Sequence, residues 1–573
     1  IGCRRCPSSL DQDMLGLQRG AMKNFLNELC LDISNLDPNH DFDILHWLVY
    51  LSFVYGFPTF VRFSSTLDAS MEHVITMKIN EEDESWMKNS RKKFSGRRLE
   101  SFYADYLSAY DPQMNATAIV KDIIRAELVV VRFIRSLRQE IFQPLSGSVG
   151  KLGSLTEGYA SEDDWVRLIE MATSKKITGL NRVDMPDNSV ALVVLLLDQT
   201  RMELSDARLL IAWSLVRRLV PLASGQFMAE EALQKFPNDE HGVLRLCYEY
   251  VVDVMPLAVS QRYVSSYLTP SALTFMGQLT ANVMQALMNK LNGTDWIHGK
   301  LLCLMYEKAM KLKFLLAYPE TVATESMLED LFAEVPDIAE SFTAPYLAAR
   351  RVKTLNTFRH NVNVSFNTAR VNAVYRSSQL TVFFLAGILQ PPLFIPGAPS
   401  AFNYGSIGQI AGHELMHAFD VQGILFDSKQ QFVDVENTTA KKTYASKLLC
   451  LRSSYMQAES ESRGRSLDPT IDSEGFADLA GIQLSYAAYQ SLPDAERLAT
   501  MQEFGLTKEQ TFFVSHCLKW CTAQPGTQRD EGGLYWHGRS RCIVPLRNMP
   551  QFAEAFSCKP GDRMNPVNKC SFW

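Results

Sequence analysis

A metal-binding pattern of two histidines and a glutamate lies at residues 413–417. The sequence there reads His413-Glu414-Leu415-Met416-His417, an HExxH motif. In a helix, residues four apart lie on one face, so both imidazoles can bind a single metal ion with Glu414 beside it. Zinc held by two histidines needs a third protein ligand and an open position for water, whose proton a neighbouring carboxylate can accept. The motif therefore predicts metal-assisted hydrolysis.

Two carboxylates further along the chain complete such a site. Glu474 and Asp478 are four residues apart, and the stretch Gly475 to Tyr489 has the apolar spacing of a helix. Glu474 is the expected third ligand. Asp478 is placed to accept the outer N–H of a ligand histidine, which fixes the tautomer of the ring. The alternative is a solvated helix face, but the HExxH upstream favours a site for one zinc ion per chain.

Short motifs in this chain resemble the neprilysin and endothelin-converting enzyme family. They occur in the family's order and comprise His40 to Asp43, Tyr55 to Pro58, Val371 to Tyr375, Gly387 to Pro392, Asn403 to Gly405, Gly412 to His417, Glu474 to Asp478 and Cys570 to Trp573. The resemblance is most specific from about residue 370 onward. It implies a mainly α fold with a small β component, in which the two lobes of a zincin-type metallopeptidase enclose a central cavity.

The resemblance also assigns contacts with the substrate backbone. Asn372 and Ala373 match positions that hold the peptide on either side of the scissile bond, and an extended peptide can pair with an exposed strand edge. An ordinary buried strand is the alternative for this segment. His537 matches a catalytic histidine and Arg541 a substrate-binding arginine of the family. Arg541 follows His537 by four positions instead of the family's six, so Arg539 is a competing choice.

An apolar pocket for the residue after the cleaved bond is also implied. Its members are Ile388, Leu393, Ile410 and Trp520. The resemblance therefore implies cleavage of short peptides on the amino side of apolar residues. Lys519 occupies a position expected to be apolar, and a preference for acidic residues would indicate that Lys519 sets specificity.

Two functions remain open. The first is a zinc metalloendopeptidase in which Glu414 takes a proton from the attacking water and passes it to the leaving amine. The second is a peptide-binding protein that hydrolyses nothing. Two departures near the metal favour this alternative: Val421 and Gln422 stand where the family has a second aspartate after Asp420, and Gly475 replaces an asparagine.

Composition indicates a globular chain with large cores. Of 573 residues, 46% are hydrophobic and 21% charged, which is enough for two or three domains. We expect an outer helical lobe over residues 1–315 and a catalytic lobe over 316–573. The expected elements are helices at Asp206 to Leu222 and Leu301 to Leu316, strands at Asn372 to Tyr375 and Thr381 to Leu385, and an exposed loop in the mixed-charge segment from Glu81 to Arg98.

Charge and hydropathy limit the partners. The net charge of −6 gives no nucleic-acid footprint. The longest apolar run, Val190 to Leu197, is far short of the roughly twenty residues that span a bilayer. The chain begins at Ile1 without a signal-peptide pattern, so we expect its native N-terminus, and any anchor, upstream.

Cysteines and sequons indicate an extracellular or cell-surface glycoprotein. There are eleven cysteines, and Asn-x-Ser/Thr sequons occur at Asn115, Asn292, Asn363 and Asn437. The family pattern implies a Cys450–Cys570 bond and a bond from Cys247 to Cys6 or its neighbour Cys3. It leaves Cys521 and Cys558 as free thiols or in improvised pairs, because their family partners lie upstream. Cys517 is either a disulfide partner or an unpaired cysteine.

Overall fold

The computed structural model describes residues 12–37, 41–68, 72–139, 145–317, 324–337, 341–359, 368–433, 438–460, 468–499, 505–521 and 535–573. These form two compact units. Unit 1 takes its described residues from Ile1–Leu67, Met71–Ala258 and Thr324–Phe366, and unit 2 from Asp68–Ser70, Val259–Ala323 and Asn367–Trp573. The division differs from the expected boundary at residue 315, because the chain enters unit 2 at residue 259 and returns to unit 1 over 324–366.

The described chain is mainly helical, with seven short strands, as expected. Its first part contains α1 (Gln12–Glu28), α2 (Ile44–Val54), β1 (Val61–Leu67), β2 (His73–Ile79), α3 (Glu81–Lys93), α4 (Arg97–Tyr110), α5 (Ala116–Leu137), β3 (Leu145–Ser148), α6 (Val149–Leu155), α7 (Glu162–Thr173), β4 (Arg182–Met185), α8 (Ser189–Leu197), α9 (Leu204–Ala223), α10 (Gly225–Lys235), α11 (Gly242–Val254) and α12 (Pro256–Tyr267).

The remaining elements lie mostly in unit 2. They are α13 (Pro270–Asn292), α14 (Gly299–Lys311), β5 (Lys313–Ala317), α15 (Glu325–Phe332), α16 (Thr343–Arg359), β6 (Ala373–Arg376), β7 (Thr381–Leu385), α17 (Ser400–Asn403), α18 (Gln409–Met416), α19 (Thr438–Glu459), α20 (Ile471–Gln490), α21 (Asp494–Arg497), α22 (Lys508–Leu518), α23 (Gly538–Arg547) and α24 (Pro550–Ala555). A π-helical segment, Tyr404–Gly408, precedes α18, and a 3-10 turn, His417–Phe419, follows it.

Each unit contains one sheet. In unit 1 the strand order is β1-β2-β4-β3, with β1 antiparallel to β2 and Arg62 opposite Lys78. In unit 2 the order is β5-β7-β6, with β5 parallel to β7 and β6 antiparallel to it. The strands β6 and β7 confirm the two predicted strands, although β6 starts one residue later than expected, and β6 lies at a sheet edge, as strand addition requires.

Helix α14 ends before the position that its apolar spacing predicts. It stops at Lys311, and Lys313–Ala317 instead forms β5, which pairs with β7 in register Phe314 to Val382. The predicted helix through Leu316 is therefore wrong over its last residues. The pairing partner lies some 70 residues away in the chain, so local periodicity gave no signal for the strand.

The mixed-charge segment from Glu81 to Arg98 lies mostly in α3 and the start of α4, so the prediction of an exposed loop is wrong. Its acidic residues occupy the first turn of α3 and Arg91 to Lys93 the last turn, where each sign is favoured by the helix dipole. Asp83 is only 1% exposed, and its carboxylate accepts the backbone N–H of Phe60 at 2.8 Å. The charge pattern therefore reflects helix termini and a buried acceptor.

The disulfides agree in part with the family pattern. Cys450–Cys570 is formed, which confirms that prediction. Cys247 is also disulfide-bonded, but its expected partners Cys3 and Cys6 lie outside the described residues. Cys521 and Cys558 are free, as expected. A further bond, Cys517–Cys542, joins α22 to α23, so Cys517 is a disulfide partner, and its pairing with Cys542 was not predicted.

No helix in the described part of the chain is both long and apolar enough to cross a bilayer. The longest apolar run forms α8, a buried helix of nine residues. The sequons at Asn363 and Asn437 and the motif residue His40 lie outside the described residues.

Candidate metal centre

The helix that carries the two histidines packs directly against the helix that carries Glu474. At the crossing of α18 and α20, a Cβ built on Gly412 would lie 2.3 Å from the carbonyl oxygen of Gly481. One built on Gly481 would lie 2.5 Å from the backbone nitrogen of His413. Glycine at both positions therefore permits this close approach. Glu474 lies seven residues, about two turns, before Gly481 and so shares its face of α20.

The three predicted ligands converge on one point. Their ligand atoms all lie within 4.8 Å of one another. The Nε2 atoms of His413 and His417 are 3.1 Å apart, and the Glu474 carboxylate lies 3.3 Å from the first and 3.7 Å from the second. Two imidazole nitrogens and one carboxylate oxygen are a ligand set that suits zinc and leaves a fourth position open.

The outer ring nitrogens of both histidines face carboxylates. His413 Nδ1 lies 2.9 Å from Asp478 Oδ1, and His417 Nδ1 lies 2.9 Å from Asp420 Oδ2. The N–H···O angle of the first contact is bent. These contacts orient Nε2 of each ring toward the metal position. The sequence had identified Asp478 but not Asp420, although an aspartate three residues after His417 in a helical turn was an available signal. The other Asp420 oxygen accepts the backbone N–H groups of Gln422 and Gly423, which fixes the carboxylate.

Arg541 anchors the Asp478 carboxylate. Its Nε and Nη2 donate to the two Asp478 oxygens at 2.7 and 2.9 Å, and Nη2 also reaches Glu474 at 3.2 Å. Burial would raise the pKa of Asp478, but Arg541 and His413 outweigh that effect and hold the pKa well below its usual range. Arg541, which the resemblance assigns to the substrate backbone, here positions the acceptor of His413. Its Nη1 makes no hydrogen bond to any described residue.

Aromatic rings and a disulfide hold Arg541 in place. Its guanidinium lies 4.4 Å from the centre of the Trp520 ring and 5.0 Å from that of Tyr535, within cation–π distance. The Cys517–Cys542 bond links the middle of α23, next to Arg541, to the end of α22. Trp520, expected to line the apolar pocket, is half-buried and packs on Arg541.

Lys519 adds a second cation on the same side of the site. Its Nζ donates to the side chain of Gln409, one turn before His413, and lies 3.4 Å from His516 Nδ1. Burial lowers the pKa of Lys519 to about 7, with Asp478 opposing and Arg541 adding to the shift. Lys519 therefore interacts electrostatically with Asp478. Its side chain is a charged ammonium group only at or below neutral pH.

Glu414 lies between the metal ligands and strand β6. Its Oε2 accepts the backbone N–H of Tyr375 at 2.8 Å. Burial raises the pKa of Glu414, against the opposing charges of the two histidines, so the carboxylate is more basic than in water. The backbone carbonyl of Asn372 accepts a hydrogen bond from the backbone N–H of Leu385 in β7. Because backbone directions alternate along a strand, Ala373 faces the open edge together with Tyr375.

Other predicted residues lie apart from the ligand cluster. His537 immediately precedes α23 as its N-cap, and its backbone N–H donates to Glu459 at 2.6 Å. No hydrogen bond or ion pair between its ring and the ligand cluster occurs among the described residues. Ile388 is 5% exposed within the unit 2 core, against which Leu393 and Ile410 also pack. The side chain of Asn372 is exposed.

The packing around Gly475 explains one departure from the family pattern. A Cβ at this position would lie 2.9 Å from the Tyr455 ring and 3.2 Å from Trp536 Nε1. These two rings stack at 4.9 Å, and Trp536 donates to Ile471 of α20 at 3.1 Å. The asparagine found in the family would not fit beside this stack.

Gly481→Ala should separate α18 from α20. The added Cβ would lie too close to His413 N, and overpacking of this kind costs about 1–3 kcal/mol of the free energy of unfolding. We also expect weaker zinc binding, measured by titration against a competing chelator. Gly277→Ala in α13 is the control, since no atom lies within 4 Å of its Cβ. Unchanged zinc affinity in Gly481→Ala would contradict the role of this contact.

Asp478→Asn should weaken zinc binding on the order of 10–100-fold, because the charge that supports His413 and pairs with Arg541 is lost. The dissociation constant for zinc is the measurement. Asp494→Asn, which alters a largely exposed ion pair with Arg497, is the control. If both variants bind zinc with equal affinity, Asp478 does not support the metal ligands and its role is only structural.

Lys519→Met should change the pH dependence of stability in the metal-free protein. Between pH 7 and about 10 the folded Lys519 is neutral, whereas the unfolded chain holds the proton, so its contribution to stability rises with pH. The free energy of unfolding of the wild type, relative to the variant, should therefore increase from pH 6 to 9. If the free energies of unfolding of the wild type and the variant, measured by chemical denaturation, change with pH in parallel, the pKa of Lys519 is not lowered in the folded protein.

Comparison with known proteins places this geometry in a family. Two models of peptidase family M13 match the chain, over residues 10–319 and 372–572. Neprilysin-3 of Drosophila melanogaster is 27% identical over 396 residues, which are 66% of this chain and 50% of the relative. Neprilysin-1 of Caenorhabditis elegans is 30% identical over 334 residues, or 55% and 44%. The chain thus spans about half the length of the curated relatives it matches.

Solved structures share the fold over nearly the whole chain. The zinc metalloprotease ZMP1 of Mycobacterium tuberculosis in complex with an inhibitor has a TM-score of 0.69 at 19% identity, with 98% of this chain and 88% of that chain covered. PEPO from Lactobacillus rhamnosis has a TM-score of 0.63 at 17% identity, with 96% and 85% covered. Together, the family models match most of the sequence, and the chain belongs to peptidase family M13.

Proposed function

We propose that this protein is a zinc-dependent metalloendopeptidase that hydrolyses short peptides. The observation that carries the proposal is the convergence of His413, His417 and Glu474 within 4.8 Å, with Glu414 next to His413 on α18. When bound, zinc supplies Lewis acidity that polarises the peptide carbonyl and lowers the pKa of an attacking water. The complete set of ligands and base supports catalysis over the alternative of a protein that only binds peptides.

Glu414 acts as the general base. Its carboxylate takes the proton of the attacking water and then donates it to the leaving amine. The hydrogen bond from Tyr375 N keeps one Glu414 oxygen in place and leaves the other for the water. The raised pKa of Glu414 increases its strength as a base near neutral pH.

The peptide binds as an added strand at β6. Ala373 faces the open edge of the sheet and supplies backbone hydrogen bonds, while the exposed Asn372 side chain binds the substrate backbone on the other side of the scissile bond. Arg541 has Nη1 available to donate to a substrate carbonyl while its other nitrogens hold Asp478. His537 is assigned to transition-state stabilisation.

Cleavage takes place on the amino side of apolar residues. Ile388, Leu393 and Ile410 provide the apolar surface in unit 2, and Trp520, which packs on Arg541, is assigned to the same pocket. Lys519 limits this preference. Its ammonium group would form an ion pair with an acidic side chain at the same subsite. Peptides with Phe or with Glu after the scissile bond therefore distinguish an apolar preference from an acidic one.

We infer that the protein matures in the secretory pathway and acts outside the cell or at its surface. The Cys450–Cys570 and Cys517–Cys542 bonds support this, since disulfides persist in oxidising compartments. Asn292 is exposed and open to glycosylation.

Glu414→Gln tests the catalytic proposal. The substitution keeps the size of the side chain and the metal ligands but removes the base, so we expect stoichiometric zinc and less than about one-hundredth of the wild-type rate. The rate is measured with a quenched fluorescent peptide, and zinc by elemental analysis. A variant that retains a tenth of the rate would exclude Glu414 as the base.

The exposed Glu554→Gln in α24 is the matched control and should retain full activity. Chelation should abolish wild-type turnover, and added zinc should restore it. A zinc-loaded wild type that hydrolyses no member of a mixed peptide library would instead support the peptide-binding alternative.

A further inference from the structure

A buried lysine outside the ligand cluster contacts the turn that follows the two metal-binding histidines. Lys308 lies in the last turn of α14 and is only 3% exposed. Its Nζ donates to the backbone carbonyl oxygens of Gly423 at 2.7 Å and of Phe426 at 2.9 Å. Within the described part of the chain, no carboxylate lies within ion-pair distance of this nitrogen. Burial of a charge costs free energy unless its hydrogen bonds are satisfied, so these two carbonyls are the groups that hold the ammonium ion.

Lys308 is mainly charged at neutral pH. Burial lowers its pKa to about 8, and Asp420 and Asp427 act in the opposite direction. Its nitrogen also lies 5.9 Å from the centre of the Phe419 ring, within cation–π distance. A methionine would occupy a similar space, but it would leave both carbonyls without this donor. The cation is therefore placed to hold the backbone of residues 423–426.

Gly423 connects Lys308 with the aspartate that orients His417. While the carbonyl of Gly423 accepts from Lys308, its N–H donates to Asp420 Oδ1 at 2.7 Å. The other Asp420 oxygen lies 2.9 Å from His417 Nδ1. A continuous series of contacts thus runs from the ammonium group of Lys308, through Gly423 and Asp420, to the ring of a metal ligand.

Close packing leaves this turn little freedom to move. A Cβ built on Gly423 would lie 2.3 Å from the carbonyl oxygen of His417, so only glycine allows the turn to pack on the end of the metal-binding helix. On the other side, the buried Tyr444 hydroxyl donates to the carbonyl of Phe419 at 2.9 Å. Because the backbone is held at both positions, a shift of Gly423 would displace Asp420 relative to His417.

We propose that Lys308 is a positioning residue of the metal centre, which holds the imidazole of His417 in its metal-binding orientation through Gly423 and Asp420. The proposal rests on the metal centre of the proposed function, but it concerns zinc affinity and requires no hydrolysis. All four residues lie in unit 2. Loss of the Lys308 ammonium should leave the three metal ligands in the chain and loosen one of them.

The zinc affinity of three variants at one position tests this role. The metal-free proteins are titrated with zinc against a competing chelator at neutral pH, and chemical denaturation establishes that each is folded. Lys308→Met should weaken zinc binding by about tenfold, since loss of a group that supports a ligand typically costs about 10–100-fold. Lys308→Arg keeps the charge and the donors and should recover most of the affinity. Lys308→Gln can keep one hydrogen bond, so it should give an intermediate loss and replaces Lys308→Met if that variant does not fold.

A double-mutant cycle with Asp420→Asn separates positioning from general stabilisation. If Lys308 acts through Asp420, the effect of Lys308→Met on zinc affinity should fall to about twofold or less in the Asp420→Asn background, because groups in one network are not additive. A full, independent loss in the double variant would show that Lys308 does not act through Asp420 and would overturn the proposal.

Lys300→Met, at an exposed position in the first turn of α14, removes the same charge and is the matched control. Its zinc affinity should equal that of the wild type. Unchanged affinity in Lys308→Met, or equal losses in Lys308→Met and Lys308→Arg, would also overturn the proposal. A wild type that binds no zinc would refute the proposed function as well, whereas a zinc-binding wild type with an unaffected Lys308→Met would refute this proposal alone.

Discussion

The close contact between α18 and α20 is the constraint on which the metal centre depends. Gly412 and Gly481 let the two backbones approach until any side chain would collide with the opposite helix. That approach fixes the distance between His413, next to the first glycine, and Glu474, two turns from the second. A metal site built from two separate helices requires this accuracy, because zinc accepts little variation in ligand distance.

A layer of charge around the ligands stabilises this geometry. Asp478 and Asp420 orient the two imidazoles, and Arg541 in turn holds Asp478. Asp478 and Arg541 are both buried, and each has the other as a partner of opposite sign, as burial requires. The Cys517–Cys542 disulfide and the Trp520 ring restrict Arg541, and Asp478 of α20 accepts its hydrogen bonds, so three separate contacts fix the orientation of one guanidinium.

Two departures from the family pattern have different physical meanings. Gly475 leaves space that the Tyr455 and Trp536 rings occupy, so the absence of the family's asparagine is compensated by packing. Lys519 has no carboxylate within ion-pair distance in the described part of the chain, where its Nζ contacts Gln409 and His516. The first departure preserves the site, whereas the second introduces a charge that can alter its selectivity.

The sequence by itself determined the features that depend on local spacing. Residues four apart share a helix face, so the HExxH motif and the Glu474–Asp478 pair were sufficient to assemble the ligand set, and β-branched and aromatic residues marked β6 and β7. Tertiary structure decided the pairing of β5 with β7, the Arg541–Asp478 ion pair and the Cys517–Cys542 bond. These contacts join residues 25 to about 70 positions apart. Spacing along one element cannot predict them, because they depend on how separate elements pack.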